Sequence, residues 1–435
     1  MSNELRVLID GAETGTLVQG KNGKLSFSYD DAWINNAAAI PLSLSMPLPE
    51  RHHLDRAVRP YLSGLLPDSE QTLEQIGKRF GVSPRNPFAM ISNIGEDLQG
   101  AVQIVPADQA ANLKTREGIT WLSREDIGRD LAALMRDPGR LQFTADGGRF
   151  SLAGAQRKKA LCLEDGKWGE PRGRTATTHI LKPSIAGLPG QAENEMFCLR
   201  LAPLLGLPAP PCWVETFGGL SVIIIERYDR IKIHNGKSVP LSDGGGQVLR
   251  VHQEDMCQAL AVLPNSKYQR DGGPGMVEIM NLLASPIDRD RFIRACVFNW
   301  VIGATDAHAK NYSVLLGTEK QVRLAPLYDV ASWLPYDQEG KAKLAMSVAG
   351  YYDYNSILLR HWEEMAKKCR FDADRLRFHI RDLLERLPDA VVDLRRTLER
   401  EMPPSPEFEA LCNLLVTRNG LLKRTYWSDL SAPTK

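Results

Sequence analysis

The sequence predicts an α+β protein with a β-rich lobe followed by a helical lobe. Between residues 149 and 235, short apolar runs such as SVIII at 221–225 are typical of strands buried on both faces. From about residue 250 onward, apolar residues recur instead at the spacing of helices. Clefts between lobes are common ligand sites, so we expect a ligand to bind there.

The pattern divides the chain into four segments. The first opens with strand-like LRVLID, PLSLSMPL (41–48) is expected to be extended, and a helical pattern over 73–81 ends at Gly81. In the second segment, Ser123 begins a capping-box pattern. The predicted segments are an N-terminal α+β subdomain (1–105), a linker with a helix (106–148), a β-rich lobe (149–235) and a helical lobe (236–435).

Apolar spacing also predicts individual helices. One covers 191–206, and another includes 293–300 and stops at Gly303. Two further helices are predicted as separate elements, one over 376–387 and one over 391–398.

The composition is that of an ordinary soluble globular protein of 435 residues, 43% hydrophobic and 25% charged. The formal net charge of +1 excludes a global field that would draw the chain to nucleic acid or membrane. Seven dispersed cysteines form no C-x-x-C pair, which indicates reduced thiols. The sequence starts without a signal core, and no apolar run approaches the roughly 20 residues that span a bilayer. We therefore predict a cytoplasmic protein.

The most informative motif is TDAHAKN, followed by a predicted hairpin and then LYDV. Asp306 and Asn311 are five positions apart, and Asp329 lies 18 residues beyond the asparagine. In phosphotransferases, one carboxylate accepts the proton of an attacking hydroxyl, an amide oxygen five residues later holds Mg²⁺, and a second carboxylate completes the metal site. The predicted strands 312–316 and 321–326 would fold Asp329 back towards the first pair. We predict phosphate transfer, with Asp306 as base and Asn311 and Asp329 as Mg²⁺ ligands.

Each of these residues has a structural alternative. Asp306 directly follows a helix stop and Asp329 follows a strand, and both are common places for turn aspartates. His308, between the base and the asparagine, could orient the loop or contact phosphate, and a structural hydrogen bond is the favoured role.

Lys182 lies in a predicted strand whose neighbours Ile180 and Leu181 are apolar. A lysine in a buried sheet is costly unless it is paired, so a phosphate or carboxylate partner is expected. The alternative is an edge-strand lysine that points to solvent. Glu195, in the first turn of the next helix, is the predicted ion-pair partner, and Glu193 is its rival.

Two further segments are candidates for nucleotide contact. SLAGAQRKK (151–159) has small residues that let backbone N–H groups approach phosphate, although it matches neither standard Gly-rich motif. Glu226–Tyr228 follows the SVIII strand and could contact adenine, the alternative being a solvated ion-pair cluster around Arg227. DGGPG (271–275) is interpreted as a turn. The predicted phosphate-loop residues are Ser151, Leu152, Ala153, Gly154, Ala155, Gln156 and Lys158.

Seven ordered motifs also resemble one known family: FSLAGAQRK, TTHILK, ERYDR, HQEDMCQAL, DGGPG, IGATDAHAKN and LYDV. Together with PLSLSMPL, GLLPDSE and IGEDLQGAV, they resemble the HipA-type serine/threonine kinases, the toxins of bacterial type II toxin–antitoxin systems. The resemblance covers essentially the whole chain. It implies a bilobal protein-kinase-like fold, with 149–235 as the nucleotide-binding lobe and an all-helical C-terminal lobe that carries the catalytic loop.

The resemblance also implies roles for single residues. Asp306 would be the catalytic aspartate, Asn311 and Asp329 would bind Mg²⁺, Lys182 would reach the ATP phosphates, and Glu226, Arg227 and Tyr228 would form the adenine hinge. Ser151 would be autophosphorylated, and its about two added negative charges would repel nucleotide phosphates and eject the loop.

The implied partners are a helix-turn-helix antitoxin similar to HipB, operator DNA held mainly through that antitoxin, and protein substrates that include aminoacyl-tRNA synthetases. Modification of such an enzyme would halt translation and growth and give drug tolerance, or persistence. Two other functions stay open. One is a metal-dependent phosphohydrolase using Asp306, His308 and Asp329, and the other is a non-enzymatic corepressor scaffold in an antitoxin–DNA complex.

Overall fold

The computed structural model describes residues 3–113, 117–136, 153–401 and 405–431. The chain forms two compact units that interleave along the sequence. The first comprises Met1–Pro183, Glu215–Asn265 and Ser313–Val322, and the second Ser184–Val214, Ser266–Tyr312 and Arg323–Lys435. The predicted α+β class is confirmed, while the segment boundaries at 105, 148 and 235 stay predictions.

The N-terminal part of the first unit is a five-stranded antiparallel sheet with helices. The strands are β1 (Glu4–Ile9), β2 (Ala12–Gln19), β3 (Leu25–Tyr29), β4 (His52–Leu54) and β5 (Val102–Pro106), and the helices are α1 (Asp31–Ile34), α2 (Asp55–Gly64), α3 (Glu70–Phe80), α4 (Pro87–Ile94) and α5 (Ala107–Ala110). The strand order is β4-β3-β2-β1-β5. Phe27 of β3 and Tyr61 of α2 belong to the same buried core. Helix α3 ends at Gly81 as predicted, with a φ of 64° that suits glycine.

The extended conformation predicted for 41–48 is wrong. The segment turns sharply, with Met46 N–H donating to Ser43 O (2.9 Å). The buried Glu254 holds this turn, because its Oε1 accepts from Leu44 N–H (2.7 Å) and its Oε2 accepts from the Ser43 hydroxyl (2.5 Å). A carboxyl group distant in sequence therefore overrides the strand-like local pattern.

A six-stranded sheet follows in the chain. Its strands are β6 (Gly118–Leu122), β7 (Lys159–Glu164), β8 (Lys167–Arg172), β9 (His179–Pro183), β10 (Cys212–Phe217) and β11 (Leu220–Glu226), and α6 (Arg124–Arg136) lies between β6 and β7 in sequence. The strand order is β10-β11-β9-β7-β8-β6. Strands β11 and β9 are antiparallel, with Ile223 opposite Lys182. Residues 222–225 are buried, as predicted for the SVIII run.

Two three-stranded sheets and one short helix are built from later segments. The elements are β12 (Arg230–His234), β13 (Lys237–Val239), β14 (Gln247–Arg250), β15 (His252–Asp255), α8 (Met256–Ala259), β16 (Ser313–Leu316) and β17 (Val322–Leu324). Strands β16 and β17 are neighbours in the sheet of order β15-β16-β17, which confirms the hairpin predicted between Asn311 and Asp329.

The second unit is mainly helical. Its helices are α7 (Gln191–Leu204), α9 (Met276–Leu282), α10 (Pro286–Ile302), α11 (Leu359–Lys368), α12 (Ala373–Glu401) and α13 (Pro406–Ser431). It also contains the hairpin β18 (Lys343–Val348) and β19 (Tyr351–Asp353). The C-terminal lobe was predicted to be all-helical, and this hairpin is a departure from that prediction. Trp300 of α10 packs edge-to-face on Trp362 of α11, with ring centroids 5.6 Å apart. Within the described ranges, no helix is both long and apolar enough to cross a membrane.

The two separate helices predicted at 376–387 and 391–398 are wrong, because α12 continues through both with Pro388 inside it. Pro388 has no N–H to donate to the carbonyl of Leu384, four residues earlier. The buried Asn419 of α13 supplies the missing donor, with Nδ2 3.0 Å from Leu384 O. This bond from a neighbouring helix satisfies the carbonyl that the proline would otherwise leave unpaired.

Candidate active site

Asp306 lies on a tight loop that follows α10. Gly303 ends α10 in the left-handed conformation, with a φ of 68°, as the sequence predicts. Beyond it, Thr305 O accepts a hydrogen bond from Ala345 N–H of β18 (2.8 Å). The Asp306 side chain is exposed, so the backbone of the loop is fixed while the carboxylate is accessible to solvent.

Asn311 is fastened to the same loop by its own amide. Its Nδ2 donates to Asp306 O (2.9 Å). Asn311 is the last residue of a short 3₁₀ turn, Ala309–Asn311, which follows the aspartate in sequence. Because Nδ2 is the donor of a carboxamide, Oδ1 is the atom that can accept a hydrogen bond or bind a metal. The local D-x-x-x-x-N spacing thus places the amide beside the backbone of the proposed base.

Asp329 has an uncommon backbone conformation for a residue other than glycine, with a φ of 56°. Aspartate tolerates this region better than most residues, but such positions are often held for a functional reason. The Tyr328 hydroxyl donates to Lys310 O (2.6 Å), which joins the segment of Asp329 to that of Asn311. The second unit therefore brings the Asp329 segment to the loop that carries Asp306 and Asn311.

Two contacts that sequence reasoning missed hold the segment around Asp329. Leu327 N–H donates to Pro208 O (2.7 Å). Asn194 of α7 bonds reciprocally with the backbone of Ser332, donating from Nδ2 to the carbonyl (2.8 Å) and accepting at Oδ1 from the N–H (2.9 Å). No motif or spacing relates Asn194 to Ser332, so only the tertiary structure reveals this support.

The side chains of Asn311 and Asp329 have the chemistry that a magnesium ion requires of its ligands. The Asn311 amide oxygen and the Asp329 carboxylate are hard oxygen donors. Mg²⁺ typically uses one or two such protein ligands and completes its shell with water and phosphate oxygens. Their role as Mg²⁺ ligands stays a prediction.

Tyr268 is a further residue of this site that the sequence did not indicate. Its hydroxyl donates to Asp306 Oδ1 (2.8 Å). Tyr268 directly precedes a 3₁₀ turn, Gln269–Asp271, and lies 38 positions before Asp306. No spacing rule connects the two, and the only nearby signal is the DGGPG stretch that follows the tyrosine.

His308 has a buried ring that packs edge-to-face on Tyr268, with centroids 5.0 Å apart. Its backbone N–H donates to Asp306 O (2.8 Å). These contacts favour a role for His308 in orienting the loop. A direct contact between His308 and phosphate stays a prediction.

Lys182 is 5% exposed and lies in β9 of the first unit. Such burial argues against a solvent-facing edge lysine. Glu195 belongs to the second unit and is 1% exposed, whereas Glu193 is only half-buried, so Glu195 has the more strongly desolvated carboxylate. The Lys182–Glu195 ion pair itself stays a prediction.

The predicted phosphate loop is described only from Ala153 onward, and Ser151 and Leu152 lie outside the described residues. Gly154 has a φ of 106°, which favours glycine. Its carbonyl accepts from Asp68 N–H (3.1 Å), Gln156 Nε2 donates to Pro183 O (3.1 Å), and Lys158 Nζ donates to Ala153 O (2.6 Å). The loop is thus tied to the N-terminal part of the chain and to the end of β9.

The proposed hinge lies where β11 ends, at Glu226–Tyr228. Burial raises the pKa of the Glu226 carboxyl. The Tyr228 hydroxyl donates to Gln253 Oε1 (2.8 Å), and Arg227 N–H donates to Thr178 O (2.9 Å). The Arg227 side chain donates to both carboxylate oxygens of Asp229 (2.9 and 2.7 Å). The role of Glu226–Tyr228 as an adenine hinge stays a prediction.

The ion-pair cluster considered for this region exists, but it is buried rather than solvated. Asp97 accepts from Arg230 (3.0 Å) and Arg250 (3.1 Å) and lies 3.5 Å from Arg227. Burial opposes ionisation of Asp97, but the three arginines outweigh it and hold the pKa of this carboxyl below its usual range. Burial together with the nearby Arg227 lowers the pKa of Arg230 to about 10. The cluster ties the IGEDLQGAV segment to the residues that follow β11, where the proposed hinge lies.

Fold and site together define an α+β protein of the kinase-like class. Residues 5–105 match the HipA N-terminal domain family, and residues 150–391 match the HipA-like C-terminal domain family. The second match alone spans more than half of the chain, and the chain belongs to the HipA-like family.

Individual relatives agree with this assignment. A putative kinase, Y4mE, from Sinorhizobium fredii is 37% identical over 396 residues, covering 89% of this chain and 90% of the relative. The serine/threonine-protein kinase toxin HipA of Shewanella oneidensis is 28% identical, covering 89% of each chain. A solved structure of the Shewanella oneidensis HipA, HipB and operator DNA complex contains a chain that matches with a TM-score of 0.82 at 23% identity, covering 99% of this chain and 100% of that one. This match shows that the two chains share a fold.

Proposed function

We propose that the chain is an ATP- and Mg²⁺-dependent protein serine/threonine kinase of the HipA type. One observation carries the proposal. The amide of Asn311 is bonded to the backbone of Asp306, and the Tyr328–Lys310 bond joins Asp329, with its uncommon φ of 56°, to the same loop. A base, an amide oxygen and a second carboxylate are the parts that phosphoryl transfer requires.

In the proposed reaction, Asp306 accepts the proton of a serine or threonine hydroxyl as its oxygen attacks the γ-phosphorus of ATP. A new oxygen–phosphorus bond forms, the bond from the γ-phosphorus to the β–γ bridging oxygen breaks, and ADP leaves. Asn311 and Asp329 would hold Mg²⁺, which would neutralise charge on the phosphate oxygens. Lys182 and the loop 151–158 are proposed to contact the ATP phosphates, and Glu226–Tyr228 the adenine.

The proposed biology follows the relatives. Kinases as a class use ATP and divalent metal, and the matching Shewanella oneidensis chain was solved together with HipB and operator DNA. We propose a HipB-like antitoxin as the partner of this chain and contact with operator DNA through it. The proposed substrate is a cytoplasmic protein such as an aminoacyl-tRNA synthetase, and autophosphorylation at Ser151 would limit the activity.

The test is to incubate the full chain with Mg²⁺, γ-labelled ATP and a bacterial lysate, and to separate labelled protein from free phosphate. The kinase proposal expects new phosphoserine or phosphothreonine in protein, identified by mass spectrometry. Free phosphate without phosphoprotein would favour the hydrolase alternative. Absence of both ATP binding and turnover would favour the corepressor scaffold.

A further inference from the structure

The hydroxyl of Tyr268 donates to Asp306 Oδ1 at 2.8 Å. We propose that Tyr268 is a positioning residue for phosphate transfer, holding the Asp306 carboxylate in the orientation in which it receives the substrate proton. The proposal rests on the kinase function proposed above. A carboxylate has two oxygens and about four acceptor positions, so one bond from Tyr268 still leaves capacity to accept from a substrate hydroxyl.

The need for such a residue follows from the environment of Asp306. Its side chain is exposed, whereas a general base must be held within hydrogen-bond reach of the proton that it accepts. An exposed side chain samples several rotamers, and a hydrogen bond from a fixed donor favours one of them. A donor to an ionised carboxylate is also stronger than one between neutral groups.

Tyr268 is itself held in place by hydrogen bonds to its own carbonyl and to the residue that follows it. Its carbonyl accepts from Asp271 N–H (3.0 Å) and from Gly273 N–H (3.0 Å). The next residue, Gln269, accepts at Oε1 from the backbone N–H (2.7 Å) and the hydroxyl (3.1 Å) of Ser347 in β18. The same strand, through Ala345, binds the carbonyl of Thr305 beside Asp306. The segment that carries Tyr268 and the loop that carries Asp306 are therefore both hydrogen-bonded to β18.

The glycines of DGGPG are what allow the chain to fold back beneath Tyr268. A Cβ on Gly273 would lie 1.9 Å from Ser266 O and 2.8 Å from Tyr268 O, and one on Gly275 would lie 2.4 Å from Gln269 Nε2. Glu278 then accepts from Gly275 N–H (3.0 Å) as α9 begins. The stretch is a turn, as the sequence predicts, and the turn gives Tyr268 its place.

The ring of Tyr268 is fixed as well. His308 packs against it edge-to-face, and two cations lie near its face, with Lys267 Nζ 5.5 Å and Arg270 Cζ 5.4 Å from the centroid. A phenylalanine keeps each of these ring contacts and loses only the hydroxyl. Tyr268→Phe is therefore a narrow test of the bond to Asp306.

A matched control exists in the same unit. The Tyr354 hydroxyl donates to Asp337 Oδ2, also at 2.8 Å, and neither residue belongs to the site. Tyr354→Phe removes the same group from the same kind of acceptor. It should change the transfer rate by less than about twofold, since it leaves the Asp306 loop intact.

The experiment measures label incorporation into the full chain with γ-labelled ATP and Mg²⁺ for the wild type, Tyr268→Phe, Tyr354→Phe and Asp306→Asn. Tyr268→Phe should lower the saturating rate about tenfold, the effect of one hydrogen bond to a charged group, while the ATP concentration for half-saturation stays within about twofold. In the Asp306→Asn background, adding Tyr268→Phe should change the residual rate little.

Two results for the phenylalanine variants would overturn the proposal. A Tyr268→Phe rate equal to or above that of the wild type would mean that the hydroxyl does nothing or competes with substrate. An equal loss in Tyr354→Phe would indicate a general effect of lost tyrosine hydroxyls. A wild-type chain that transfers no phosphate would remove the kinase function itself, which is a distinct outcome. If Tyr268→Phe fails to fold by circular dichroism, fluorotyrosine at position 268 replaces it, because it changes the donor strength of the hydroxyl and keeps its place. A saturating rate equal to that of the wild type then contradicts the proposal.

Discussion

Asp306 and Asp97 are the same side chain in opposite environments. Asp306 is exposed on a loop of the second unit and accepts a hydrogen bond from a tyrosine hydroxyl. Asp97 is 5% exposed in the first unit and lies among Arg227, Arg230 and Arg250. The comparison separates two uses of a carboxylate. A buried, fully partnered group specifies the fold, whereas an exposed group on a fixed backbone is available for chemistry.

The largest effect is expected at Asp306. Asp306→Asn should lower the rate of phosphate transfer about a thousandfold, because an amide cannot accept the hydroxyl proton. Its free energy of unfolding should change by less than about 0.5 kcal/mol, since the side chain is exposed. Transfer from labelled ATP and urea unfolding measure the two quantities.

A suitable control for Asp306→Asn is Asp393→Asn, since Asp393 is 73% exposed on α12 and lies outside the site. It should leave both the rate and the stability unchanged. Retention of more than a tenth of the rate in Asp306→Asn would remove Asp306 as the base.

Asp97→Asn should show the reverse. Removing one charge from a buried ion cluster leaves the arginines uncompensated, so we expect a loss of about 3 kcal/mol in the free energy of unfolding. At a temperature where the variant is folded, it should still transfer phosphate. Chemical unfolding of variant and wild type, followed by circular dichroism, checks the loss.

Asp31→Asn is the matched control for Asp97→Asn. Asp31 pairs with Arg51 at 2.8 Å, but both side chains are more than half exposed. Surface pairs contribute less than about 1 kcal/mol. Similar losses in the two variants would contradict the distinction between the buried and the exposed carboxylate.

The same contrast explains what the sequence could predict. Asp306, Asn311 and Asp329 lie in one stretch whose spacing is set by local turns, so the pattern indicated both the residues and their neighbourhood. The Tyr268–Asp306 and Asn194–Ser332 contacts join distant segments and have no sequence signal. The donor that pairs with Leu384 O beside Pro388 likewise comes from Asn419 of another helix, and no sequence signal relates the two. Residues that lie close together in the sequence can be assigned to a site from their spacing. Contacts between segments distant in sequence cannot.

Glu254 sharpens the comparison, because its carboxyl group is fully buried near another acid, Asp255, whereas Asp97 is buried among arginines. Burial raises its pKa to about 8, against the opposing hydrogen bonds from Leu44 and Ser43. The unfolded chain releases this proton near pH 4.5, so between about pH 4.5 and 8 the folded state binds the extra proton. Stability from this group is therefore complete below about pH 4.5 and falls as the pH rises towards 8.

The measurement is the free energy of unfolding at pH 5.5 and 7.5 for wild type and Glu254→Gln. The wild type should lose about 2.5 kcal/mol more than the variant over this range, since a full proton difference gives roughly 1.4 kcal/mol per pH unit and the folded state begins to lose its proton near pH 7.5. Glutamine keeps the shape of the side chain and can bond to both the Leu44 N–H and the Ser43 hydroxyl. Parallel pH profiles would show that Glu254 is ionised in the fold.

The smallest expected effect concerns two asparagines, one in the site and one in the helical core, which differ in role as Asp306 and Asp97 do. Asn311 and Asn419 both donate from Nδ2 to a backbone carbonyl, at 2.9 and 3.0 Å, but Asn311 serves the site and Asn419 serves α12. Asn419→Ala should lower the free energy of unfolding by about 1.5 kcal/mol, because the Leu384 carbonyl beside Pro388 loses its donor. The rate of phosphate transfer should not change.

The companion change to Asn419→Ala is Pro388→Ala, which restores the N–H that the helix lacks at this position. In the Pro388→Ala background, Asn419→Ala should cost clearly less than in the wild type, since Leu384 O then has an intrahelical donor. This double-mutant cycle isolates the carbonyl as the origin of the effect. An equal cost in both backgrounds would assign the loss to packing of Asn419 and not to the proline gap.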